Sequence, residues 1–291
     1  MFDSFIYFLE QQPLFYLFSL FVLGAVVGSF LNVVIYRLPV MMQREWRQDC
    51  LEFLEQPAER EADKFNLSTP RSRCANCGHQ ITALENIPIV SYLVLGGKCS
   101  SCQASISAQY PLVELFSALV SVVVGWQLGV SLQTGAALLM TWSLIAASGI
   151  DIGHKLLPDN ITLPLLWLGI FLSLFDVYVD LETSVIGAMA GYMSLWSIFI
   201  LFKLITGKEG MGHGDFKLLA MLGAWLGWKP LLVVILTSSV VGAVVGISMI
   251  LMRLTERSTQ IPFGPYLAAA GWMTLLWGDQ LLQFYFSLFG F

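Results

Sequence analysis

The chain has 291 residues, of which 56% are hydrophobic and only 12% are charged, and its formal net charge is −5. Soluble globular domains carry roughly 25% charged residues. The composition, with a mean hydropathy of +0.72, therefore excludes an ordinary soluble domain and indicates a polytopic membrane protein. No run of Lys and Arg resembles a nucleic-acid-binding groove, so nucleic acid is excluded as a partner.

The first apolar run covers residues 14–35, and a basic residue, Arg37, follows it. The run is too long for the core of a signal peptide, so it predicts a retained transmembrane helix. Further apolar runs follow at residues 111–129, 135–150, 161–178, 184–204, 218–228, 231–252 and 265–289. The sequence thus predicts an all-α polytopic membrane protein with about eight transmembrane helices in a lipid bilayer. The sixth run is shorter than the roughly 17–25 residues that span a bilayer, which leaves open whether it is tilted, extended or half-inserted.

The distribution of Lys and Arg predicts which side of the membrane each loop faces. With eight spans, every Lys and Arg except Lys229 falls on one side. The loops after the first, third, fifth and seventh spans are therefore predicted to be cytoplasmic, and both termini to face outward. The same count supports the short sixth run as a span, because without it Arg253 and Arg257 would fall on the other side.

A single long polar insertion, residues 39–110, interrupts the apolar runs. Within it, "CANCGHQI" (74–81) and "CSSCQASI" (99–106) repeat the pattern C-x-x-C-x-x-x-I. Four thiolates arranged in a tetrahedron are typical of a closed structural zinc site, which has no open position for chemistry. The predicted ligands are Cys74, Cys77, Cys99 and Cys102. Two disulfides or redox pairs are the alternative, although disulfides are rare in the cytoplasm; Cys50 is predicted to be a free thiol.

Two carboxylates lie at predicted cytoplasmic ends of spans. Asp151 closes the third span, and Asp215 opens the sixth after the glycine-rich stretch "GKEGMGHG" (207–214). Ionisable residues at such positions are costly and usually mark function. Two carboxylates held together share a proton, so one activates water while the other polarises a scissile carbonyl. The two aspartates can meet only if the third and sixth spans pack together, and the glycines would let a peptide backbone approach.

Simpler roles fit the same acids. Asp215 has the position of a helix N-cap, Asp151 could pair with Lys155 at i+4, and Asp159 after Pro158 is predicted to cap the fourth span. An ion or proton transporter is the alternative function, although its acids are expected midway along helices. A scaffold built on the cysteine module, without catalysis, is a third hypothesis.

Long motifs in a fixed order make the chain resemble the type IV prepilin peptidases, membrane aspartic proteases with a G-x-G-D signature. The signature matches "GMGHGDFKL" (210–218). The other matching motifs are "GSFLNVVIYRLP" (28–39), "RSRCANCGHQITALENIPIVSYLVLGGKCSSC" (71–102), "ISAQYPLVELFSA" (106–118), "DIGHKLLPDNITLPLLWLG" (151–169) and "IPFGPYLAAAGW" (261–272). By position, the resemblance assigns the two catalytic aspartates to Asp151 and Asp215 and the family's four cysteines to the predicted zinc ligands. The chain departs from the family at Gly153, where many members carry an acid, and at His213, where an aromatic residue is common; His213 is predicted to be a neutral loop histidine.

The resemblance implies a bacterial inner-membrane enzyme with its active site facing the cytoplasm. It would cleave the basic leader of membrane-bound prepilins and pseudopilins after a glycine. It would then methylate the new N-terminal residue, typically phenylalanine, with S-adenosylmethionine. No G-x-G-x-x-G follows a predicted strand, so the methyl-donor site is unknown, and a surface near Glu85 is only a hypothesis. The predicted domains are a first transmembrane helix (1–38), a cytoplasmic zinc-binding domain (39–110) and a protease helical domain (111–291).

Overall fold

The structure is a computed structural model that describes residues 2–56, 64–208, 210–252 and 261–288. Within these ranges the regular structure is helical, and only isolated bridge pairs near the cysteines have β geometry. The chain divides into two compact units, residues 1–130 and 131–291. The predicted all-α class is confirmed.

The first unit is built on two long helices. Its helices are α1 (Phe2–Gln11), α2 (Pro13–Phe53), α3 (Val90–Val94) and α4 (Gln109–Leu128), with a 3-10 turn at Leu84–Asn86. α2 continues for 41 residues, about 60 Å at 1.5 Å per residue, so the first apolar run and the start of the polar insertion form one helix. Gly28 lets α2 approach α4 closely, since a Cβ there would lie 2.7 Å from the Cα of Glu114.

Buried polar groups fix the insertion to these helices. The Arg37 guanidinium is buried and donates hydrogen bonds to the carbonyls of Asn66 and Pro70, at 2.9 and 2.6 Å. The buried Glu114 carboxylate accepts a hydrogen bond from the backbone N–H of Ile89 at 2.7 Å. Because unpaired buried charges are costly, these contacts explain how Arg37 and Glu114 can be buried in the first unit.

The second unit surrounds one short helix with longer ones. Its helices are α5 (Leu132–His154), α6 (Asp159–Ser173), α7 (Leu181–Thr206), α8 (His213–Leu226), α9 (Leu231–Leu251) and α10 (Gly264–Leu288). α8 packs against α6, α7 and α10, and most of its residues are buried. Trp225 donates its indole N–H to the Leu165 carbonyl at 2.8 Å, and the Ser184 hydroxyl donates to the Ala224 carbonyl at 2.7 Å. α8 is therefore a core helix of this unit rather than a lipid-facing one.

The chain is a multi-pass membrane protein, but fewer helices than predicted have full spanning length. Among the described residues, α2, α4, α5, α7 and α9 are the five that are long and apolar enough to cross a membrane. α6 and α8 have only 15 and 14 residues, and α10 departs from helical geometry at Trp277. Each of the eight predicted apolar runs still corresponds to a helix.

Candidate active site and metal centre

Asp151 lies in the last turn of α5 and is almost fully buried, with 5% of its surface exposed. Its Oδ2 accepts a hydrogen bond from the backbone N–H of Gly264, the first residue of α10, at 3.0 Å. Lys155 ends the helix in a left-handed conformation and donates its backbone N–H to the Asp151 carbonyl. The Asp151 carboxylate thus bonds to α10, and the proposed ion pair with Lys155 is not formed.

Asp215 is the third residue of α8 and is 7% exposed. The N-cap of α8 is Gly212, and no side chain caps the helix, so the capping role considered for Asp215 is wrong. Its Oδ1 is buried and has no hydrogen-bond partner among the described residues. A buried carboxylate oxygen without a partner is unusual and costly, which distinguishes this oxygen from the hydrogen-bonded Oδ2 of Asp151.

The fold brings the two aspartates to one place. Their carboxylates lie close enough for their charges to interact. Leu157 lies next to both sites. A Cβ on Gly214, the residue before Asp215, would lie 2.8 Å from Leu157, and a Cβ on Gly264, which bonds to Asp151, would lie 3.1 Å from it. α10 packs against both α5 and α8, so the aspartates share α10 as a neighbour.

Asp159 has a different role from the predicted one. It is the first residue of α6, whose N-cap is Pro158, and it makes no side-chain capping bond. Both of its carboxylate oxygens instead accept hydrogen bonds from the Lys217 ammonium, at 2.6 and 2.7 Å. Charge-assisted hydrogen bonds are stronger than neutral ones, which explains why the carboxylate faces Lys217. The pair joins the start of α6 to the start of α8, and Lys217 is a residue that the sequence analysis missed.

The glycine-rich stretch ends at a cluster of aromatic rings at the start of α8. His213 is not in the loop as expected but is the first residue of α8. Its ring packs against Phe199 and Phe216, with centroid distances of 5.3 and 5.4 Å. Gly212 lies beside the acid, since a Cβ there would be 3.8 Å from the Asp215 Oδ2. No side chain therefore separates the backbone at Gly212 from the Asp215 carboxylate.

The four predicted cysteine ligands converge in the first unit. One sulfur from each lies within 4.8 Å of all the others, and the Sγ–Sγ distances are 3.8 Å for Cys74–Cys102 and 4.0 Å for Cys77–Cys99. A tetrahedral zinc site with Zn–S bonds of about 2.3 Å needs sulfurs about 3.8 Å apart. All four are free thiols, so the disulfide alternative is wrong and the cluster fits a zinc ion. Cys50 is also free, as predicted, and is exposed on α2.

The internal repeat of the sequence is a repeat of structure. Cys74 and Cys99 donate their backbone N–H groups to the carbonyls of His79 and Ala104, at 2.8 and 2.9 Å. In the same register, Gly78 and Gln103 donate theirs to the carbonyls of Cys74 and Cys99. Gly78 and Gln103 both have left-handed backbones, with φ of 73° and 59°. The two C-x-x-C turns thus present their sulfurs from equivalent positions.

Glu85 joins the two cysteine turns. Its carboxylate accepts hydrogen bonds from the Ser100 hydroxyl and from the Thr82 amide and hydroxyl, the latter two at 2.8 and 2.9 Å, and it contacts His79 Nε2 at 3.3 Å. The bonds from Ser100 and then Thr82 lower the pKa of Glu85 from 4.5 to about 2. Glu85 is therefore ionised at neutral pH and holds the second turn, through Ser100, to the first.

The thiols of the cluster differ in their ease of ionisation. The backbone N–H of Ala104, followed by the Asn76 side chain, lowers the pKa of Cys102 from 9.0 to about 6. The His79 amide also favours the Cys77 thiolate, but burial and the neighbouring thiols outweigh it and raise the pKa of Cys77 to about 11. A divalent cation bound to the cluster would bring all four cysteines to the thiolate form, because a coordinating thiol is deprotonated by the metal.

Comparison with known families agrees with this geometry. The description "Bacterial Peptidase A24 N-terminal domain" matches residues 22–128, which include the four cysteines. The description "Type IV leader peptidase family" matches residues 138–247, which include both aspartates. The chain belongs to the type IV leader peptidase family. Gly264, which donates to Asp151, lies beyond the second match, although the quoted motif "IPFGPYLAAAGW" contains it.

Curated relatives match over almost the whole chain. A "Prepilin leader peptidase/N-methyltransferase" of Stutzerimonas stutzeri is 59% identical over 278 residues, which cover 96% of each chain. Proteins with the same name from Pseudomonas aeruginosa and Dichelobacter nodosus are 55% and 51% identical, with coverage of 98% and 97% of each chain. No solved structure matches the chain.

Proposed function

We propose that this chain cleaves the leader peptide of type IV prepilins and pseudopilins after a glycine, and then methylates the new N-terminal residue. The observation that carries the proposal is the convergence of two buried carboxylates, Asp151 and Asp215, around Leu157 and the start of α10. Their place in a leader peptidase family, together with relatives named for both activities, supports the same conclusion. Both acids lie near helix ends, whereas the acids of a transporter are expected midway along spans.

In the proposed cleavage, Asp151 and Asp215 act as one catalytic pair that shares a proton. The ionised carboxylate takes a proton from a water molecule, whose oxygen attacks the scissile carbonyl carbon. The protonated carboxylate donates to the carbonyl oxygen, and a tetrahedral intermediate forms. The carbon–nitrogen bond then breaks as the leaving nitrogen takes up a proton from the pair. The Gly264 amide holds Asp151 in orientation, while the partner-free Oδ1 of Asp215 faces no competing donor among the described residues.

The cysteine cluster is proposed to hold one structural zinc ion through Cys74, Cys77, Cys99 and Cys102. A closed shell of four thiolates leaves no position for substrate, so its function is to hold the two turns together. We further propose that this module forms a cytoplasmic domain over residues 39–110, between the first helix (1–38) and the protease helices (111–291).

The methyl donor is proposed to be S-adenosylmethionine, which supplies an activated methyl group for the new N-terminal amine. The hypothesis that its site lies on the surface near Glu85 stays a prediction, although the Glu85 carboxylate itself is already hydrogen-bonded. Thr82, Ser100 and His79 already engage both carboxylate oxygens, so Glu85 is not available for the cofactor's ribose or amino group. No step of the reaction is assigned to that surface.

The proposed location is the bacterial inner membrane, with the aspartates on the cytoplasmic side. The strongest support is the charge distribution, in which every Lys and Arg except Lys229 falls on one predicted side. Prepilin and pseudopilin substrates are proposed to reach the site from within the same membrane.

The proposal is tested by incubating the purified protein with a full-length prepilin and following the appearance of a shorter product. Asp151→Asn and Asp215→Asn should each abolish cleavage, while the protein still inserts into the membrane and accumulates. Because the members of one catalytic unit do not contribute additively, the double variant should be no slower than either single one. Substantial cleavage by the Asp215→Asn protein would contradict the paired mechanism.

A further inference from the structure

An apolar cavity of about 300 Å³ lies in the second unit between α7, α9 and the start of α10. Leu195 and Ile198 line it from α7, and Ser239 and Ala243 line it from α9. Among the described residues that line the cavity, none carries a charge. Both lining helices are long and apolar enough to cross the membrane, so the cavity is an apolar space that extends beside membrane-spanning segments.

The cavity begins next to the two aspartates. One lining residue, Met211, directly precedes Gly212, where a Cβ would be 3.8 Å from the Asp215 Oδ2. Another, Phe263, directly precedes Gly264, whose N–H donates to Asp151. The cavity wall is thus one residue away from the backbone that touches each carboxylate.

The cavity also extends away from the aspartates along α7. That helix ends at Thr206, and Ile198 lies eight residues earlier, about 12 Å at 1.5 Å per residue. An occupant that enters beside the carboxylates and follows the cavity would therefore move towards the middle of α7. Only an apolar occupant suits this course, because the uncharged walls offer a charged group no compensating partner.

We propose that this cavity is a substrate subsite, and that it binds the apolar membrane segment that follows the scissile bond of a prepilin. The inference rests on the proposed function, since it assigns one part of that substrate to one part of the same site. A substrate held in the membrane requires an apolar segment, whereas the basic leader would be unstable in an uncharged cavity. The scissile bond would then lie at the mouth of the cavity, beside Gly212 and Gly264.

The test fills the cavity from α9. Ala243→Phe places a large side chain in the cavity, and Ser239→Leu does so one turn away. The matched controls are Val244→Phe and Val240→Leu, at neighbouring residues that do not line the cavity and are 59% and 61% exposed. Each variant is assayed in lipid nanodiscs with two substrates, the full-length prepilin and a truncated peptide that keeps the leader and scissile bond but lacks the membrane segment.

Filling the cavity should raise KM for the full-length prepilin about tenfold or more, because the apolar contact between segment and cavity is lost. Cleavage of the truncated peptide should not change, and the control variants should match the unchanged chain with both substrates. In an Asp215→Asn background, a photo-crosslinking amino acid at position 243 should capture the prepilin, and the same group at position 244 should not.

Two results would overturn the subsite. The first is an unchanged KM for the full-length prepilin in both filled variants, together with no crosslink at position 243. The second is an equal loss of cleavage with both substrates, which would mean that the substitutions act on the aspartates instead. Failure of the unchanged chain to cleave the full-length prepilin would refute the proposed function itself, along with the subsite that depends on it.

Discussion

Gly264→Ala is the sharpest test of how Asp151 is held. A Cβ at this position would lie 2.6 Å from the Asp151 Oδ2, and ordinary contacts begin at 3.4 Å, so the carboxylate and the Gly264 backbone must separate by about 0.8 Å. The new methyl group has little room to move away from the carboxylate, because two Leu157 carbons lie 3.1 Å from the added Cβ. The substitution should therefore displace the carboxylate and weaken the 3.0 Å hydrogen bond from the Gly264 N–H.

The expected magnitude follows from both effects. A hydrogen bond to a charged group contributes about 1.5–3 kcal/mol, and misplacing a catalytic group by about 1 Å reduces the rate about 100-fold. We therefore expect kcat/KM for prepilin cleavage to fall about 10- to 100-fold. The matched control is Gly153→Ala, two residues after Asp151, where a Cβ would have no neighbour within 4 Å.

The assay measures cleavage of a full-length prepilin by each purified variant, at equal amounts of inserted protein. Methylation of a pre-cleaved substrate serves as a second readout, because it should not depend on the orientation of Asp151. Wild-type cleavage by Gly264→Ala would show that the contact with α10 does not position the carboxylate. An equal loss in Gly153→Ala would show that the effect comes from α5 and not from Gly264.

Three further predictions follow from the same structure. Asp159→Asn should reduce cleavage only a few-fold, since its ion pair with Lys217 is partly exposed and such pairs contribute about 0.2–1 kcal/mol; a complete loss in the product assay would give Asp159 a catalytic role. The purified protein should carry about one zinc ion per chain, and Cys74→Ser should remove it in metal analysis; full retention of metal would place the ligands elsewhere. Single cysteines replacing Lys155 and Lys208, in an otherwise cysteine-free chain, should both resist an impermeant thiol reagent in intact spheroplasts, and labelling of only one would contradict a shared active site.

The cysteine module shows how much a short-range pattern can predict. The two C-x-x-C-x-x-x-I segments predict two similar turns, and each turn is closed by hydrogen bonds within a few residues. Local bonding of this kind depends on the sequence of the segment itself, so the geometry follows from the pattern. The hydrogen bond between Ser100 and Glu85 is less visible in the sequence. Ser100 is at a variable position of the second segment, and Glu85 lies outside the repeat, fifteen positions earlier.

The ion pair of Asp159 shows the opposite case. Asp after Pro at the start of an apolar run is typical of an N-cap, and nothing near Asp159 in the sequence indicates another partner. Lys217 lies 58 positions away and reaches Asp159 only because α6 and α8 pack against each other. A local rule therefore predicted the helix start correctly and assigned the wrong function to its side chain.

The pairing of Asp151 with Asp215 depends on a third helix, α10, which the apolar pattern alone does not link to the two acids. Direct packing of the third and sixth spans was expected to bring the acids together, whereas α10 packs against both α5 and α8, and its first residue binds Asp151. The packing of neighbouring helices also explains how α8 can be so short. A helix of 14 residues is about 21 Å long, less than the roughly 30 Å hydrocarbon core, but α6, α7 and α10 bury most of its surface. Because protein and not lipid surrounds α8, a carboxylate can lie in its first turn at a depth set by its neighbours.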